Sequence, residues 1–88
     1  MIEKGMVVRS KAGHDSNRFY LVVDLCDPFA YIADGKTRRL AKPKKKSLKH
    51  LQKTNTRVDV SNIQTDNQLK QLLHPFNYGT AGQSKEGV

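Results

Sequence analysis

The stretch from Lys36 to Lys53 holds nine Lys or Arg and no Asp or Glu. Its centre runs Lys42, Pro43, Lys44, Lys45, Lys46, Ser47, Leu48, Lys49, His50, Leu51. Cations at this density suit one kind of chemistry. They replace the counterions of a polyanion, and phosphate backbones are the commonest polyanion. Lys36, Lys42, Lys44, Lys45, Lys46 and Lys49 would act as point charges that track a backbone, with His50 among them. Arg38 and Arg39 add forked donors that suit a phosphate or a guanine edge. Lysines encode little base specificity, so the tract should position its ligand rather than read it. The bland alternative for any lysine run is a solvated loop that keeps a protein soluble. Nine cations without one compensating acid favour the polyanion.

The rest of the chain is electrically ordinary. The 88 residues carry a formal charge of +8, and residues 1–54 account for all of it, with thirteen basic and five acidic side chains. Residues 55–88 carry three of each. A second candidate lies upstream, in the polar segment that contains Lys11, Gly13, His14 and Arg18. A glycine there would let backbone amides approach a phosphate closely, with Lys11 and Arg18 supplying charge. The competing reading is an ordinary polar connector. Tyr20, Phe29 and Tyr31 can stack on unpaired bases or fill a core. Core is favoured for Phe29, and both readings stay open for Tyr20.

Other chemistries find no support. His14, His50 and His74 are far apart in sequence and lack metal-ligand spacing to Cys, Asp or Glu. No nucleophile–base–acid set stands out, so no catalytic residue, metal or cofactor is expected. Cys26 is the lone cysteine. It cannot form an internal disulfide, reads as a buried or half-buried structural thiol, and fits a reducing cytoplasm. No apolar segment has the length of a signal peptide core or a membrane span.

The elements that must hold these residues are legible in part. Met6, Val7 and Val8 open a short strand. Arg18 to Leu25 alternates, with Phe19, Leu21, Val23 and Leu25 on a fully apolar face and Arg18, Tyr20, Val22 and Asp24 on a mixed one. Leu21 and Val23 are therefore expected in the core. Phe29 to Ala33 alternates again. Asp34-Gly35 signals a hairpin, with Thr37 to Leu40 as its return strand. Pro43 and the lysine row predict an extended, solvated loop over 42–46. Ser47 to Gln52 regains alternation and can close the sheet. Thr65-Asp66 caps a helix over about 65–74, whose stripe is Leu69, Leu72, Leu73 and Phe76. Asp66 and Lys70 stand at i, i+4, and Pro75 ends the helix or kinks its last turn.

Residues 3–53 carry a family resemblance. Gly5, Met6, Val7, Val8, then Ser10, Lys11, Ala12, Gly13, His14, Asp15, then Arg18 to Val23 resemble a KOW segment: a strand, a loop with a key glycine, and a second strand of alternating aliphatics. The Asp34-Gly35-Lys36 turn and the Lys42–Leu51 tract are similar to the short bacterial KOW-domain RNA-binding proteins. These in turn look like the fourteenth large-subunit ribosomal protein of the archaeal and eukaryotic series. One departure stands out. KOW segments often carry Lys-Gly after the loop, where this chain has Ser16-Asn17.

The resemblance implies a small SH3-like barrel that binds RNA, commonly ribosomal RNA, through exposed loops and without catalysis. The combined expectation is a mainly β chain: a KOW barrel with a short C-terminal helix over residues 1–76, then a disordered tail over 77–88. Its expected partners are RNA, ribosomal RNA first, and ribosomal proteins; it should be a cytoplasmic monomer when free. The alternative is a protein-interaction module docking on ribosomal or transcription machinery. An anionic-membrane adaptor ranks last, because the tract lacks interleaved apolar anchors.

Overall fold

Alternating residues of the first three strands decide the architecture. The computed structural model describes residues 1–11, 13 and 17–78. Five strands, β1 (Met6–Ser10), β2 (Phe19–Cys26), β3 (Phe29–Ala33), β4 (Lys44–Ser47) and β5 (Leu51–Arg57), form one sheet in the order β4-β3-β2-β1-β5. All pairings are antiparallel. A single 3-10 turn, Leu48–His50, carries the chain from β4 at one edge to β5 at the other. The sheet is therefore coiled and barrel-like, and one helix, α1 (Asp66–Tyr78), follows it. The chain is mainly β with a short C-terminal helix, as the alternation predicts.

Neighbouring strand residues point to opposite faces, so the sheet has two cores. Val8, Tyr20, Val22, Ala30, Ile32 and Leu51 fill the concave side. Val7, Leu21 and Ala33 meet Leu69 and Leu73 of α1 on the other. The face of β2 that reads as mixed is thus a core face. Tyr20 is only 2% exposed and belongs to the core, not to a stacking surface. Sheet curvature covers one face of β2 and the helix covers the other, which no single-strand pattern reveals.

A bulge then breaks the alternation. Val22 pairs with Ile32 but Asp24 with Tyr31, so Val23 is the extra residue. Past it the faces exchange. Leu25, opposite Ala30, packs on the concave core rather than beside Leu21. Val23 is only partly buried. Cys26 falls opposite Phe29 and is exposed, not the buried or half-buried thiol expected.

The lysine row is also corrected. Lys44, Lys45, Lys46 and Ser47 are not a loop but strand β4, paired with Ile32, Tyr31, Ala30 and Phe29. The strand is tolerated because it lies at the sheet edge, where lysines are among the residues that blunt an unpaired edge. Pro43 precedes it, where a missing N–H breaks no ladder bond. Thr37 to Leu40 forms no return strand. Asp34 instead gathers the segment, its Oδ1 accepting from the Lys36 amide at 2.9 Å and the Arg38 amide at 2.8 Å.

Helix α1 starts as predicted. Thr65 Oγ1 accepts from the Gln68 amide at 3.1 Å, and Gln68 Oε1 accepts from the Thr65 amide at 3.2 Å, a reciprocal capping box. Asp66 turns to the Leu40 amide at 2.8 Å. Leu69 and Leu73 are buried, and Leu72 and Phe76 pack against the same core. The helix does not stop at Pro75 but runs to Tyr78. Tertiary contacts hold the last turn. Asn77 Oδ1 accepts from the Phe19 amide at 2.9 Å, and the Phe76 ring lies 5.4 Å from that of Phe19. Asn77 and Tyr78 thus belong to the helix rather than to the expected tail, whose residues 79–88 lie outside the described residues. Among the described residues, no helix is long and apolar enough to cross a membrane.

Candidate functional site

Strand alternation divides the lysines of β4. Lys45, opposite Tyr31, projects from the convex face, with its Nζ 4.4 Å from the Phe29 ring centroid. That distance is within cation–π range. Lys44 and Lys46 share the face of Ile32 and Ala30 and are half-buried. They stand about 7 Å apart along the strand.

The glycine loop reaches the same place. Gly13 has φ +80°, and a Cβ built on it would lie 3.7 Å from Lys46 Nζ. Lys11 donates its amide to the His50 carbonyl at 2.8 Å, so the loop is also tied to the 3-10 turn that carries Lys49. Lys11, Gly13, Lys46 and His50 are therefore neighbours, although 35 residues or so separate them in sequence. Asn17 sits at φ +69°, in the left-handed region that Asn tolerates better than most residues. Asn17 therefore takes this conformation at little cost. Arg9, not singled out from the sequence, steadies it by donating to Asn17 Oδ1 at 3.1 Å and Gln52 Oε1 at 2.7 Å. Its place in an ordinary alternating strand offered no signal. His14 lies outside the described residues.

Not every candidate joins this cluster. Arg38, Arg39 and Lys42 lie on the segment between β3 and β4. Arg18 and Lys36 line a separate groove of about 270 Å³ with Lys70, His74 and Tyr78 of α1. The last three stand at i, i+4 and i+8 on one helix face. That spacing was readable, but a helix ended at Pro75 hides it. A shallower groove of about 700 Å³ beside β5 includes Lys4, Arg57 and Asp59. The Ser61 hydroxyl, then its amide, holds the Asp59 carboxyl below its usual range. That groove carries an exposed anion, Asp59, and suits a polyanion less.

Gly13 offers a direct test of the loop. A Cβ there would make only an ordinary contact with Lys46 Nζ, so a substitution meets the backbone penalty more than a collision. Gly13→Val should cost about 1–3 kcal/mol of stability through strain at positive φ. Gly13→Asn should keep the fold, because Asn accepts that conformation, yet place an amide beside Lys46. Thermal unfolding of both variants, measured with ligand binding, separates strain from occlusion.

Among the described residues, no three His, Cys, Asp or Glu side chains gather as a metal site. No protein-family model matches the chain.

Proposed function

We propose that this protein binds structured RNA, ribosomal RNA first, as a small SH3-like KOW barrel acting in the cytoplasm without a cofactor. The observation that carries the reading is the meeting of Gly13, at positive φ, with Lys46 of the lysine-bearing edge strand. A glycine that admits close backbone approach then stands beside the Lys46 ammonium group, with Lys44 on the same face of the strand. Binding proceeds by counterion release, with β4 tracking phosphates and the Lys11–Gly13 loop setting orientation. Lys44, Lys45, Lys46, Lys49 and Lys11 are the contacts proposed for phosphate.

Salt dependence tests this mechanism. With about five phosphates neutralised, log K should fall against log salt with a slope of roughly −3.5 to −4.5. Replacing Lys44, Lys45 and Lys46 together by Gln should weaken binding on every RNA sequence tried and flatten the slope by about 2 to 3 units. The circular dichroism spectrum should persist, because an edge strand tolerates Gln as it tolerates Lys. A flat salt response with retained affinity would falsify the electrostatic mechanism and favour a protein-docking module instead.

A further inference from the structure

We propose that the groove beside the last turns of α1 receives one unpaired nucleotide of the bound RNA. Its base lies against His74 and Tyr78, and its phosphates lie against Arg18, Lys36 and Lys70. The inference rests on the RNA-binding reading above and adds to it the source of base contact.

The rings argue for a base. Tyr78 is 60% exposed, whereas Phe19, Tyr20, Phe29, Tyr31 and Phe76 are all buried or half-buried. Its ring centroid lies 5.0 Å from that of His74, one turn earlier, at a tilt of 40°. Lys36 Nζ lies 6.0 Å from the Tyr78 centroid and 3.5 Å from its hydroxyl, which orients the ring at the groove. Exposed aromatics with adjacent cations are how proteins hold unpaired bases. The lysine strand offers no equivalent, since Lys45 already lies over Phe29.

The charges argue for a nucleotide rather than a neutral ring. Three permanent cations line the groove against one carboxylate, Asp34. That carboxylate is 4% exposed and is engaged by two backbone amides. A groove of about 270 Å³ admits one nucleotide, not a duplex. An acidic peptide would satisfy the cations but leave both rings without a role.

The test uses the full chain and two hairpins of equal length, one fully paired and one with a single bulged 2-aminopurine. Binding should quench the 2-aminopurine by stacking. Tyr78→Ala should abolish the quench and weaken the bulged hairpin by about 5- to 150-fold, while the paired hairpin is unaffected. Tyr78→Phe should restore both, and the salt slope should not change, because no phosphate contact is removed. A quench that survives Tyr78→Ala, or equal losses on both hairpins, overturns the groove assignment. So does release of the 2-aminopurine by an acidic peptide while the hairpin stays bound. If both hairpins bind without a quench, only the groove inference falls. If neither binds, the RNA reading falls with it.

Discussion

Leu21→Asp should leave the chain unfolded at room temperature. Leu21 is fully buried between Val7 and Ala33 of the sheet and Leu69 and Leu73 of the helix. An aspartate there would trade an apolar contact for a carboxylate among aliphatic side chains. The expected loss exceeds about 4 kcal/mol, which is most of what a small domain possesses. Leu21→Ala should cost about 2–5 kcal/mol and leave a folded but weakened protein. Val23→Asp should be milder than Leu21→Asp, because the bulge leaves Val23 partly exposed. Far-UV circular dichroism with thermal unfolding ranks all three. If Leu21→Asp melts like the parent, the helix is not packed on that face.

The second large effect concerns Gly35. It lies at φ +80°, and a Cβ there would collide with the Asp66 carbonyl and come within 3.1 Å of Lys70 Cγ. Gly35→Ala therefore pays twice: about 1–2 kcal/mol for a left-handed alanine and about 1–3 kcal/mol for overpacking. The shift needed to relieve the clash would also stretch the bond from the Leu40 amide to Asp66. A melting temperature at least about 10 °C lower is expected. Gly13→Ala is the natural control, with the same φ and only an ordinary contact beside it, to Lys46 Nζ at 3.7 Å. It should cost only the backbone term. Equal melting temperatures for the two variants would mean that the first turn of α1 does not rest on the 34–36 turn. Gly35 thus has a role that its Asp-Gly context disguises. The dipeptide reads as a hairpin, but the glycine is required because a helix lies against it.

Local pattern carried the sequence reading a definite distance. The first three strands and the helix stripe of Leu69, Leu72, Leu73 and Phe76 were legible because apolar spacing follows backbone period directly. The helix start was legible because Thr65-Asp66 reads as a cap before an apolar stripe, and the reciprocal bonds of Thr65 and Gln68 complete it. The charge of the Lys36–Lys53 tract needs no fold at all. The candidate binding residues Lys11, Gly13, Lys46 and His50 could each be named, but not their adjacency.

The first three strands, the helix and the cationic field follow from the chain alone, because each depends on neighbours along it. Four matters were settled only by distant contacts. Lys44–Ser47 became a strand because β3 presented an unpaired edge to it. Tyr20 became core because the coiled sheet closed over a face whose mixed spacing left both readings open. The helix passed Pro75 because Asn77 and Phe76 anchor to Phe19, contacts that outweigh one missing amide. Arg18 parted from the Lys11–Gly13 segment and Lys36 from the lysine tract for the groove of Lys70, His74 and Tyr78, because β2 and the 34–36 turn bring them beside α1. Each of these depends on pairing between distant segments, and spacing along one segment carries no information about its distant partner.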